Sequence, residues 1–308
     1  MTKILVVFTG GTICTSVNNG IINVDNTKTY HLIDKYKKMD DEVEFCTKEP
    51  YFILSENLSG EHLNKLCSCV NSSLKEKYDG IIVTLGTDTL QYCASAVSLT
   101  IKDCNIPIMF VSSNYPLSNE NANGFDNFVN AIKFIKQKRG RGVFVSYKNQ
   151  DETLKFHTPE NLLDYDCFSD KLRSINDNFY GEYRKCGRFY NNINYKNIND
   201  NLSFNANFPD KSSVLRIKFH PGMTYPALEK IKCIIIEPYH SGTLKTDTKE
   251  FDDFINEAKK HQVKVVLTGM KKGDVYSSVK DLKDDEYIDF SPYAPIYTYV
   301  KEWLIANR

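Results

Sequence analysis

Two glycine turns, each directly after an apolar run, carry threonines with a potential for chemistry. The first is TGGT, residues 9–12, which ends on Thr12. The second lies in VTLGTDTL, residues 83–90, and contains Thr87 and Asp88. A threonine hydroxyl becomes a nucleophile only when a neighbouring base or relay takes its proton. Thr87 and Asp88 could form that relay for Thr12, so the two turns together predict one site for nucleophilic catalysis.

Each turn also has a purely structural explanation. Gly10 and Gly11 permit backbone conformations that other residues avoid, so TGGT could be only a tight turn. Thr87, Asp88 and Thr89 could be helix caps. The first turn does not continue as G-x-G-x-x-G or as a P-loop, so it lacks the parts of a phosphate cradle. Two threonine-rich turns in matching positions favour a site over turn geometry alone.

The elements around these turns predict an α/β fold with a doubly wound, mostly parallel sheet. Short apolar runs rich in β-branched residues are typical of buried parallel strands, and stretches with helical spacing separate them. The predicted strands are 4–8, 80–83, 106–111 and 142–145, and the predicted helices are 60–78, 89–102 and 123–136. Ser59 is the expected N-cap of the first helix, and His62 is not expected to complete a capping box. Ligands of such sheets bind beyond the carboxyl ends of the strands, where both turns lie.

A chain of 308 residues is long enough to form two cores. We predict an N-terminal catalytic domain over 1–170, a linker over 171–213 and a smaller C-terminal α/β domain over 214–308. The linker is assigned because 171–213 is rich in Asn, Tyr, Asp and Lys and has little periodicity. After it, the alternation of strands and helices resumes.

Composition bounds the partners and the compartment. Lys+Arg and Asp+Glu both number 39, so no net charge attracts nucleic acid or an anionic membrane. The nine cysteines are odd in number and scattered, as reduced thiols would be. No apolar run approaches the ~20 residues of a membrane span. The sequence therefore predicts a cytoplasmic protein, and His157, His220 and His240 lack the spacing of metal ligands.

TGGTI, residues 9–13, and GTDTL, residues 86–90, resemble the two signature motifs of the bacterial L-asparaginase family. The likeness continues through YDGIIVTLGTDTLQYCASAVSL and, later, through VLRIKFHPGM and IIIEPYHSGT. The resemblance implies that Thr12 is the nucleophile and that Thr87 and Asp88 assist it. It also implies a two-domain α/β fold, release of ammonia from asparagine or a related amino acid, no cofactor, and a homodimer or homotetramer.

The same resemblance assigns substrate contacts. In ILSENLSGEHL, Ser55 and Glu56 match positions that contact the α-carboxylate or α-amine of the substrate. Gly11 and Gly86 would let the backbone approach the substrate closely. A zwitterion needs such polar groups, because a buried unpaired charge is costly. A polar turn that leads into a capped helix is the structural alternative for Ser55 and Glu56.

Two departures from the family pattern concern a lysine and a tyrosine. Family members carry a relay lysine upstream of an Asp-x-Phe motif like that at 166–168, and a gap-free count reaches Pro159 instead. Lys155 could serve if the loop is rearranged. The expected tyrosine of the mobile lid, residues 14–24, is replaced by Ile21 or Ile22, and Tyr30 lies further on. The alternative function is therefore an amino-acid-binding or regulatory subunit that kept the fold and lost strong catalysis.

Overall fold

The chain divides into two compact units, Met1–Asn207 and Phe208–Arg308, in the computed structural model. The structure describes residues 1–11, 13, 15–18, 21–24, 30–102, 104–150, 152–166, 168–198, 202–269 and 276–307. Each unit has a sheet of its own, with eight strands in the first and four in the second.

A mixed sheet forms the centre of the first unit. Its described strands, with those of a small ribbon, are β1 (Thr2–Phe8), β2 (Thr15–Asn18), β3 (Ile21–Val24), β4 (Val43–Lys48), β5 (Gly80–Thr84), β6 (Pro107–Val111), β7 (Gly142–Lys148), β8 (Leu154–His157), β9 (Gly181–Tyr183) and β10 (Phe189–Asn191). The ribbon is the antiparallel pair β2 and β3, and the sheet order is β10-β9-β8-β7-β6-β5-β1-β4. Strands β4, β1, β5, β6 and β7 are parallel, whereas β8, β9 and β10 extend the sheet in antiparallel fashion.

The strand order reverses at β1, and this reversal positions the predicted site. The chain passes from β1 to β4 on one side and then to β5 on the other. The last residue of β1, Phe8, pairs with Thr84, the last residue of β5. In a doubly wound sheet, a crevice opens beyond the carboxyl ends of the strands at such a reversal. The turns that follow β1 and β5 lie at that crevice.

Helices cover the sheet because its central strands are apolar throughout. Every residue of β5 and β6 is buried, as expected for strands with both faces covered. The helices described in the first unit are α1 (His31–Lys37), α2 (Gly60–Ser73), α3 (Leu90–Thr100) and α4 (Gly124–Lys136). Within the described part of the chain, none of the helices combines the length and the hydrophobicity needed to cross a membrane.

The N-terminus of α2 corrects one sequence expectation. Ser59 is its N-cap, as predicted, but His62 completes the capping box. The backbone N–H of Ser59 donates to Nδ1 of His62 at 3.2 Å, in place of the usual Glu or Gln acceptor. The prediction about His62 was wrong because an unprotonated imidazole nitrogen accepts a hydrogen bond as a carboxylate does.

The second unit contains a parallel sheet with its own core. Its strands, in spatial and chain order, are β11 (Val214–Lys218), β12 (Cys233–Glu237), β13 (Lys264–Leu267) and β14 (Ile288–Phe290). Its described helices are α5 (Lys249–Lys260), α6 (Ser277–Asp284) and α7 (Pro295–Ile305). The lone tryptophan, Trp303, packs on the Phe208 and Tyr299 rings at centroid distances of 5.2 and 5.6 Å.

The predicted fold class is confirmed, and the unit boundary differs from the predicted one. The segment interpreted as a linker, 171–213, contributes β9 and β10 to the main sheet. The first unit therefore continues to Asn207, and the second begins at Phe208 rather than at 214. Polar and charged side chains on these short strands hid their periodicity from the sequence analysis.

Candidate functional site

Three chain segments meet at the carboxyl ends of β1 and β5. The N–H of Ile53 donates to the Thr9 carbonyl at 3.1 Å, and the N–H of Gly11 donates back to the Ile53 carbonyl at 3.0 Å. Thr9 also donates from its N–H and its hydroxyl to the Thr84 carbonyl, at 3.1 and 2.9 Å. The first glycine turn is thus held to the end of β5 on one side and to the segment at Ile53 on the other.

The two glycine turns are in direct backbone contact. Gly11 has a φ of +75°, and a Cβ atom there would overlap the backbone of Gly86. A Cβ atom on Gly86 would lie 2.6 Å from Cβ of Ser55. Only residues without side chains allow this approach. The packing brings the two predicted motifs and the Ser55 segment into one place.

Thr12, the predicted nucleophile, lies outside the described residues. Its neighbours Gly11 and Ile13 are both buried, with Ile13 2% exposed. The position of the Thr12 hydroxyl relative to Thr87 therefore stays a prediction. The contact between Gly11 and Gly86 brings the two turns themselves together.

Ser55 and Asp88 form the polar centre of the described site. The Ser55 hydroxyl donates to Oδ2 of Asp88 at 2.7 Å. The Thr89 hydroxyl donates to the Ser55 carbonyl at 3.2 Å, which ties the short 3₁₀ turn at Ser55–Asn57 to the start of α3. Asp88 and Glu56 are exposed, and Thr87 is half-buried. A carboxylate and hydroxyls at the mouth of a crevice can hold an ammonium and a carboxylate group.

Lys155 is engaged elsewhere. It lies in β8 opposite Tyr147 of β7, and its Nζ is 3.3 Å from Oε2 of Glu152 and 3.7 Å from Oδ1 of Asp177. The ammonium also lies over the Phe179 ring, 4.8 Å from its centroid. Among the described side chains, no hydrogen bond or ion pair joins Lys155 to Thr87 or Asp88. The structure therefore does not bring this lysine to the predicted relay.

The tyrosine near the lid is also engaged. The Tyr30 hydroxyl donates to Oε1 of Glu49 at 3.1 Å, and its ring packs edge-on against Phe8, the last residue of β1. Of the predicted lid, Cys14, Asn19 and Gly20 lie outside the described residues, whereas the backbones of β2 and β3 form a ribbon.

His157 is buried in β8 and is 1% exposed. Its Nδ1 lies 2.8 Å from the Ser174 hydroxyl, and its Nε2 has no hydrogen-bond partner among the described residues. Burial, followed by the charge of Lys155, lowers the His157 pKa to about 3. The imidazole is therefore neutral near pH 7.

Sequence reasoning missed a buried polar pair beside the second turn. Gln91, in the first turn of α3, donates from Nε2 to the Leu163 carbonyl at 3.2 Å. This bond fixes the segment that carries Tyr165, whose hydroxyl is buried. Burial, and then the neighbouring Tyr147, raise the pKa of Tyr165 far above its ordinary value, and the charge of Asp88 contributes. Its position directly before the Asp-x-Phe motif at 166–168 was the available signal.

Comparison with known proteins places these features in a family. Residues 3–168 match the family model described as Asparaginase, N-terminal. A glutamyl-tRNA(Gln) amidotransferase subunit from Methanosphaera stadtmanae is 25% identical over 95% of this chain and 69% of its own length. L-asparaginase 2 of Bacillus subtilis is 28% identical over 64% of this chain and 53% of its own length.

Solved structures share the fold of the whole chain. The thermostable L-asparaginase from Thermococcus kodakarensis has a TM-score of 0.80 at 20% identity, and the match covers 100% of this chain and 93% of that one. A probable cytoplasmic L-asparaginase from Campylobacter jejuni has a TM-score of 0.76 at 20% identity, covering 100% and 96%.

Proposed function

The chain belongs to the asparaginase family, and we propose that it is an amidohydrolase that releases ammonia from the side-chain amide of asparagine or a related amino acid. The observation that carries the proposal is the backbone contact between Gly11 and Gly86. It brings the turn before Thr12 against the turn that carries Thr87 and Asp88. The hydrogen bond between Ser55 and Asp88 adds groups suited to an amino acid's charged ends.

In the proposed reaction, the Thr12 hydroxyl attacks the amide carbon of the substrate. The new C–O bond forms, the C–N bond breaks, and the leaving nitrogen takes a proton and departs as ammonia. Water then attacks the acyl-enzyme, so the acid is released and the threonine hydroxyl is restored. Backbone N–H groups of the glycine turns would stabilise the oxyanion.

The remaining residues of the site bind the substrate and handle the proton. Asp88, with Glu56 close by in the chain, holds the α-ammonium, and the Ser55 hydroxyl donates to the α-carboxylate. Thr87 and Asp88 relay the proton of Thr12. Lys155 would join this relay only by leaving Glu152 and Asp177, so the proposal places the relay on Thr87 and Asp88 and expects slow turnover.

The second candidate is a binding or regulatory subunit of a larger amidotransferase. The engagement of Lys155 with two carboxylates favours it. The relatives named as subunits of a glutamyl-tRNA(Gln) amidotransferase, which align with 95% or more of this chain, also support it. Such a subunit would require a protein partner.

Ammonia release separates the two functions. The purified protein is supplied with asparagine, glutamine and free amide analogues, with Thr12→Ala as control. We expect ammonia from the wild type and none from Thr12→Ala. Binding of the amino acid without ammonia release from the wild type would instead favour the regulatory subunit.

We also propose that the protein is a cytoplasmic homodimer or homotetramer. The described cysteines are free thiols, as is usual in a reducing compartment. Size-exclusion chromatography with light scattering tests the oligomer, and a monomeric mass at working concentration would contradict it.

A further inference from the structure

The Tyr165 hydroxyl is buried and has no hydrogen-bond partner in the part of the chain that the structure describes. A buried donor without an acceptor destabilises a fold, because it has lost its water and gained nothing in return. A phenylalanine at this position would avoid that cost. An orphaned polar group of this kind therefore calls for a role beyond packing.

The surroundings of Tyr165 point to the second glycine turn. Gln91, three residues after Asp88, holds the Leu163 carbonyl at 3.2 Å and so fixes the segment that leads to Tyr165. The Tyr165 ring packs edge-on against Tyr147, at a centroid distance of 6.2 Å. The Asp88 carboxylate is close enough that its charge contributes to the raised pKa of Tyr165. The phenol thus keeps its proton at any working pH and remains a donor.

The hydrogen bonding of Asp88 must change when substrate binds. In the free protein, Oδ2 of Asp88 accepts from the Ser55 hydroxyl at 2.7 Å. Under the proposed function, that hydroxyl turns to the substrate's α-carboxylate. Asp88 then needs another donor if it is to keep its orientation towards the α-ammonium.

We propose that Tyr165 is the positioning residue that replaces Ser55 at Asp88. Its hydroxyl donates to the Asp88 carboxylate once Ser55 engages the substrate, and it holds that carboxylate towards the substrate's ammonium group. This role rests on the proposed function. It also explains why a donor is kept without a partner in the free protein.

Tyr165→Phe tests the role, and Tyr147→Phe is the matched control. The Tyr147 hydroxyl already donates to the Asp170 carbonyl at 3.0 Å, so its loss removes a satisfied bond from the same cluster. We expect Tyr165→Phe to raise KM about tenfold, to change kcat little, and to leave the unfolding midpoint unchanged or higher. Tyr147→Phe should lower the unfolding midpoint and leave KM unchanged.

The results distinguish failure of this inference from failure of the proposed function. An active wild type with the same KM in both variants would overturn the role of Tyr165 alone. A lower unfolding midpoint with unchanged KM for Tyr165→Phe would do the same, since it indicates a structural hydroxyl. If the wild type is inactive but binds L-aspartate, the dissociation constant replaces KM in the same comparison. A wild type that neither releases ammonia nor binds L-aspartate overturns both proposals.

Discussion

Gly11→Ala is the most direct perturbation of the contact between the two turns. Gly11 has a φ of +75°, in the left-handed region, where an L side chain costs about 1–2 kcal/mol. The added Cβ would also overlap the Gly86 backbone, and forced overlap in a packed interior costs about 1–3 kcal/mol. The free energy of unfolding of the first unit should therefore fall by about 2–5 kcal/mol.

Gly142→Ala isolates the effect of the overlap. Gly142 has a φ of +94° at the start of β7, and a Cβ atom there would meet nothing within 4 Å. Both variants reduce the backbone freedom of the unfolded chain equally, so that effect cancels in the comparison. Gly142→Ala should lose only the conformational share, about 1–2 kcal/mol.

Urea unfolding followed by circular dichroism measures the loss. Trp303 lies in the second unit, so its emission provides a separate trace for that unit. The transition should move in the circular dichroism trace, and the tryptophan trace should show no comparable primary loss. If Gly11→Ala is no less stable than Gly142→Ala, the two turns do not touch. The geometric basis of the proposed function would then be lost with the prediction.

Two further predictions concern β8. Lys155→Ala should leave kcat and KM within about twofold of wild type and change the free energy of unfolding by no more than about 1 kcal/mol, because its ammonium forms partly exposed ion pairs with Glu152 and Asp177; a tenfold loss of kcat would show that it belongs to the relay. His157 has a folded-state pKa of about 3, below the ordinary 6.5, so the unfolded chain takes up the proton first as the pH falls. The stability due to its neutral form is present above pH 6.5 and is lost towards pH 3, by up to about 1.4 kcal/mol per pH unit. Urea titrations between pH 7 and 4 should show a smaller loss for His157→Gln, and equal slopes would contradict the buried neutral imidazole.

The central strands were predictable because their burial is complete. In β5, GIIVT, every residue faces packed helices, so the run is apolar and ends at the turn that carries Thr87. β4 was missed because it is an edge strand, VEFCTK, in which only Val43 is fully buried. β8 was missed because Lys155 interrupts its apolar pattern. Its partners become visible only when the sheet places them around it.

The site was predictable in its location and not in its hydrogen bonds. The ends of β1 and β5 follow from apolar runs and glycines, and adjacent parallel strands bring them together. The bond between Ser55 and Asp88 joins residues 33 positions apart, so the sequence gives no sign of it. The contact of Lys155 with Asp177 likewise depends on a loop that packs on β8 from a later part of the chain. Tertiary placement decides which side chains are available for chemistry.

The position of β1 in the middle of the sheet affects how the chain must be synthesised. Its neighbours β4 and β5 both come later, and the bond from the Thr9 hydroxyl to the Thr84 carbonyl spans 75 positions. During translation, the apolar segment ILVVF has exposed hydrogen-bonding edges until β5 has left the ribosome. Such a segment can pair with other chains, and pairing over long sequence separations is slow. Soluble yield should therefore rise when growth temperature is lowered or when chaperones that hold extended segments are supplied.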